Sequence, residues 1–72
     1  MDNNNILDLH GIRHHDVDRL VENFIFMHQD SMPLKIICGN SQKMIDLVLG
    51  VVKKHNITTT MIQYGIVEIY KI

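Results

Sequence analysis

The sequence predicts an α/β fold, an α+β two-layer sandwich ordered β-α-β-α-β-β. Its four-stranded mixed sheet carries two helices on one face. Three observations lead there. Strand-length apolar or β-branched runs stand at Ile6 to Leu9, Leu34 to Cys38, Ile57 to Gln63 and Ile66 to Ile72. Two apolar stripes at three- and four-residue steps separate the first three runs. Right-handed crossovers then set both helices on one side and leave the other sheet face bare.

Residues 1–5, Met-Asp-Asn-Asn-Asn, read as a disordered polar tail, and 6–72 as a single domain. After the first strand comes the turn Gly11 to His15. Asp16 is the expected cap of a helix from about Asp16 to Gln29, because its carboxylate can accept from free first-turn amides. Val17, Leu20, Val21, Phe24 and Ile25 form the stripe of that helix, and His28 continues it. Ser31-Met32-Pro33 stops it, since proline cannot extend a helix.

The second strand, Leu34 to Cys38, runs into Gly39-Asn40-Ser41. Either Asn40 or Ser41 can cap the next helix. Met44, Leu47, Val48, Val51, Val52 and His55 make its stripe. Gly50 inside it costs up to about 1 kcal/mol. Lys53, Lys54 and Asn56 suit its end, where the dipole favours cations. The lysines read as a solvated end, and His28 and His55 as structural. Tyr64-Gly65 joins the last two strands in a tight hairpin.

Size and charge narrow the function. A chain of 72 residues is one domain and buries only about 60% of its unfolded surface. That excludes a deep enclosed pocket and favours a shallow surface acting on a large substrate. A net charge of -1 and a pI near 6.5 exclude a basic nucleic-acid coat protein. Phosphate binding must come from local placement of charge. One cysteine, Cys38, excludes an internal disulfide and a cysteine-based zinc site. It reads as core and fits a reducing cytosol. No apolar run reaches membrane-spanning length, and the first residues lack a secretion signal. The expectation is a cytoplasmic protein with no membrane partner, a monomer or a weak homodimer through its sheet edges.

The chemistry concentrates in Ile6-Leu7-Asp8-Leu9-His10-Gly11. Alternation along a strand turns Leu7 and Leu9 toward the helices, and Asp8 and His10 toward the bare face. Two strand residues span roughly 6.6 Å, close enough for the carboxylate to bias the imidazole. Gly11 and Gly39 both follow a strand and precede a helix. Such carboxyl edges are where open α/β sheets take ligands, and helix amino ends favour phosphate. Arg13, Lys43 and the loop residue His14 can add contacts to a backbone phosphate. The cluster His10, His14, His15 and Asp16 invites a zinc reading. Gly11 breaks any helix that would align His10 with His14, and no fourth ligand is obvious. The expectation is therefore no metal site and no cofactor, with no ligand cluster to support a divalent metal.

Leu7-Asp8-Leu9-His10-Gly11 matches the LDLHG motif of the Smr (small MutS-related) domain family. Cys38-Gly39-Asn40-Ser41 stands where that family has T-G-x-G or H-G-x-G, and Gly65 precedes a last apolar strand as it does there. The resemblance covers essentially residues 6–72. It implies a fold similar to the C-terminal domain of translation initiation factor 3. It also implies binding to DNA or RNA, with endonuclease activity in several members, and in some cases attachment to a larger protein complex. By motif match, Asp8 and His10 would be catalytic. Gly11 and Gly39 would be the motif glycines of the phosphate site, and position beside the turns adds Arg13, His14, Asn40, Ser41 and Lys43. In the second motif Cys38 replaces the Thr or His and Ser41 replaces the second glycine. That departure gives the alternative: a non-catalytic nucleic-acid-binding or protein-interaction module.

Overall fold

A computed structural model describes residues 5–71. Residues 1–4 of the expected tail, and Ile72 of the last strand, lie outside the described residues. The elements are β1 (Ile6–Asp8), α1 (His14–Met27), a short 3-10 turn (Gln29–Ser31), β2 (Leu34–Ile37), α2 (Gln42–Lys54), β3 (Thr58–Gln63) and β4 (Ile66–Lys71). The sheet runs β1-β2-β4-β3. β1 and β2 are parallel, and β4 is antiparallel to both β2 and β3, so the expected four-stranded mixed sheet is present.

Alternation sorts the sheet into two faces. Leu34, Ile36, Val67 and Ile69 are buried, with Leu9 and Cys38 just past the strand ends. They meet Val17, Val21, Phe24 and Ile25 of α1 and Met44, Ile45, Val48, Val51 and Val52 of α2. Among the described residues no polar or charged side chain is buried. Burial of apolar area is thus the main force holding the layers together, at about 25 cal/mol per Å². The opposite face shows Ile6, Asp8, Lys35, Ile37, Ile66 and Glu68, all half-buried or exposed.

Several boundaries move for local reasons. Asn5 is tied to the sheet edge, its carbonyl accepting from the Lys35 amide at 2.8 Å. α1 begins two residues earlier than expected, with Arg13 as its N-cap and no side-chain cap bond. Asp16 is therefore in the first turn and caps nothing, because its own amide already donates to the Arg13 carbonyl at 3.0 Å. Its carboxylate instead sits 3.4 Å from Arg19 and 3.5 Å from His15. α1 ends at Met27, and the 3-10 turn fills the residues before Pro33. In α2 Ile45 is fully buried while Leu47 is only partly so. Met44, Val48, Val51 and Val52 of the expected stripe are buried, and Ile45 widens it on one side.

The end of α2 is not simply solvated. Lys54 Nζ lies 2.8 Å from Glu22 Oε2, and His55 Nε2 lies 2.9 Å from the same oxygen. The His55 and Phe26 rings meet in a T-shape, their centroids 5.2 Å apart. These contacts tie α2 to α1. Both helices therefore act as one layer behind the strand ends.

Candidate functional site

Three turns leave the sheet along one edge. The parallel register pairs Asp8 with Ile37, and the Leu9 amide donates to the Ile37 carbonyl at 3.0 Å. β1 and β2 therefore end level, and His10-Gly11 emerges beside Gly39-Asn40. The antiparallel register pairs Ile37 with Ile66, which brings the Tyr64-Gly65 turn to the other side of Gly39. The Cys38 amide donates to the Gly65 carbonyl at 2.6 Å. Gly11, Gly39 and Gly65 have φ of +79°, +73° and +90°. Only glycine adopts such values without strain. At Gly65 the demand is doubled: an added Cβ would stand 2.3 Å from the Gly39 carbonyl oxygen. The middle turn is thus held in place from behind by the third.

Asp8 and His10 both project to solvent, as alternation requires. The Asp8 carboxylate accepts from the backbone amide of His10 at 2.9 Å. That bond goes to the main chain and not to the imidazole. Asp8 therefore positions His10 by fixing the turn that carries it, in the manner of an Asx-turn. The turn closes with the Ile12 amide on the Leu9 carbonyl at 3.0 Å.

The two helix amino ends are unequal. α1 carries Asp16 in its first turn, whereas α2 has no acidic residue there. At α2, Ser41 is the cap, its Oγ accepting from the Met44 amide at 3.1 Å. Helix geometry leaves the preceding amides, of Gln42 and Lys43, pointing outward without an intrahelical acceptor. α2 is thus the better seat for an anion. Gly39 and Asn40 are exposed at its mouth, and Lys43 is exposed in its first turn. Arg13 and His14 are exposed at the start of α1, behind Gly11. Among the described residues neither Arg13 nor Lys43 has a carboxylate partner.

Cys38, at the Thr or His position of the second motif, is buried. Its burial pushes the thiol up to about 11. It points into the core and offers the edge nothing. Among the described residues no group of three or more His, Cys, Asp or Glu is arranged to hold a metal ion. A hollow of about 260 Å³ lies elsewhere, against the helices, and is lined by Asp18, Asp46, Leu47, Gly50, Val51 and Lys54. No helix among the described residues is long and apolar enough to cross a membrane.

Two residues join the edge that sequence reasoning did not place there. The Tyr64 hydroxyl donates to Gln42 Oε1 at 2.9 Å, and Gln42 Nε2 donates to Asp46 Oδ1 at 2.9 Å. An aromatic just before a turn glycine is visible in the sequence. Its position over α2 depends on the pairing of β2 with β4, which is not. Comparison with protein-family models, with curated proteins and with solved structures returns no match.

Proposed function

We propose that this edge binds the phosphate backbone of a nucleic acid and that His10 transfers a proton there to cut it, in the manner of an Smr-like nicking domain. The observation that carries the reading is the juxtaposition of exposed His10, across the Gly39 turn, with the amino end of α2, whose first turn carries no acid. A phosphate seated on the Gln42 and Lys43 amides is neutralised by the helix dipole and by Lys43. Arg13 and His14 approach the same backbone from the Gly11 side. An imidazole can both accept and give a proton, the capacity a general acid or base needs.

On RNA, His10 removes the proton of a 2′-hydroxyl. That oxygen attacks the adjacent phosphorus, and the departing 5′-oxygen takes up a proton. On DNA, the proton comes from an attacking water. Such general acid–base transfer contributes about 10²–10⁴-fold. Asp8 acts through the backbone of His10 and is a positioning residue.

A second reading also has a specific support. Cys38 is buried and Ser41 Oγ is committed to its cap bond, so the second turn supplies binding groups only. A domain of this kind binds without cutting. Incubating the pure protein with supercoiled plasmid and with structured RNA, beside His10→Ala, separates the two. Nicking by the native protein that His10→Ala lacks supports cleavage. Equal background from both leaves binding alone.

A further inference from the structure

We propose that Tyr64 receives an unpaired base, so that the edge selects single-stranded segments over duplex. This inference rests on the reading of the edge as a phosphate site and names the substrate class of that site.

Tyr64 is 55% exposed, and its hydroxyl is bonded to another exposed side chain. Its hydroxyl is held by Gln42 Oε1 at 2.9 Å, and the Asp46 carboxylate, accepting from Gln42 Nε2, turns the amide oxygen toward the tyrosine. The turn beneath it is fixed by the Gly65 carbonyl on the Cys38 amide and by the close approach of Gly65 to Gly39. The ring is therefore fixed at its tip and at its backbone, while much of its surface faces solvent. It contributes nothing to the buried core. An aromatic ring fixed in advance loses little entropy when a flat partner lands on it.

Its neighbours decide what that partner is. Gln42, which holds the hydroxyl, is the first residue of α2, and Lys43 follows it. A phosphate on that helix end therefore sits next to the ring, and the base of the same or the next nucleotide lies within its reach. Every base has a π-face, so stacking needs no particular sequence. In a duplex those faces are covered by neighbouring base pairs, and only a loop, a bulge or an end can offer one. Tyr70, also exposed, does not qualify. Its hydroxyl donates to Glu68 at 2.7 Å, and that carboxylate repels a phosphate chain.

The test uses fluorescence anisotropy at low salt, with a dye-labelled single-stranded oligonucleotide and with the same strand annealed to its complement. Tyr64→Ala and Tyr64→Leu weaken single-strand binding about fivefold or more and leave duplex binding within about twofold. Tyr64→Phe keeps the ring but loses the bond to Gln42 that orients it, so it binds single strands less tightly than the native protein and more tightly than Tyr64→Ala. Thermal melts confirm that each variant is folded. If the native protein binds single strands and Tyr64→Ala or Tyr64→Leu binds them equally well, the assignment to Tyr64 fails while the phosphate site stands. Equal losses on both probes likewise overturn it. If the native protein binds neither probe, the phosphate site itself fails.

Discussion

Replacing Gly65 by alanine tests the arrangement of the three turns. The new Cβ would stand 2.3 Å from the Gly39 carbonyl oxygen and 3.0 Å from its carbon. Both are backbone atoms, so no side chain can swing aside. A side chain at φ +90° is strained as well. Strain of that kind costs about 1–3 kcal/mol. Displacing packed neighbours costs about 1–3 kcal/mol more. The expected loss is therefore about 2–6 kcal/mol, from a total of about 4–11 kcal/mol for 72 residues at typical stability per residue. At about 4–8 °C per kcal/mol, Tm falls by at least about 8 °C. Urea denaturation and a thermal melt followed by circular dichroism measure it. Two further glycines serve as internal controls. At Gly39 an added Cβ meets nothing within 4 Å, so only the φ of +73° resists it, and the cost is about 1–2 kcal/mol. Gly50 is helical and open, so alanine there stabilises by about 0.5–1 kcal/mol. If Gly65→Ala costs no more than Gly39→Ala, the third turn does not support the second, and the account of the edge is wrong.

Three other outcomes follow from named contacts. Asp8→Asn keeps an acceptor for the His10 amide and leaves both stability and any nicking rate nearly unchanged, whereas Asp8→Ala loses about 0.5–1.5 kcal/mol in urea denaturation; a nicking defect in Asp8→Asn as large as in Asp8→Ala would show that the charge itself acts. Hydrogen bonds first from Lys54 and then from His55 hold the Glu22 carboxyl below its ordinary 4.5. Its contribution is therefore present above that pH and is lost as pH falls through the lowered value, so the melting temperatures of the native protein and Glu22→Gln converge in acid and in high salt; a gap that persists in acid contradicts the ion pair. Burial raises the Cys38 thiol from 9.0 to about 11, so it resists a thiol reagent at pH 8 until denaturant is added, and stability falls as pH climbs from about 9 toward about 11; rapid labelling of the folded protein would place the thiol outside the core.

What the sequence made legible was periodic or local. Strand alternation put Asp8 and His10 on the bare face, and helical spacing marked most of the core residues of α1 and α2. Glycine after a strand and before a helix marked Gly11 and Gly39. What it hid depended on partners far along the chain. Strand spacing related the Asp8 carboxylate to the imidazole, whereas the geometry of the turn gives it the His10 amide. Asp16 looked like a cap because caps and first-turn acids are the same residue types. Lys54 looked solvated because Glu22, its partner, lies on another helix. The support of Gly39 by Gly65, and the reach of Tyr64 to Gln42, both arise from the pairing of β2 with β4. No local pattern encodes that pairing.

The proposed contact of a nucleic acid with the carboxyl edge can be read residue by residue. Amide chemical-shift mapping of isotope-labelled protein, titrated with a short single-stranded oligonucleotide at low salt, tests it most directly. The largest shifts are expected on Gly11, Arg13, Gly39, Asn40, Gln42 and Lys43, and they fade as salt rises. Shifts centred on Lys35 and Glu68 of the bare sheet face, or on Asp18 and Leu47 of the helix layer, or no shifts at all, would contradict it.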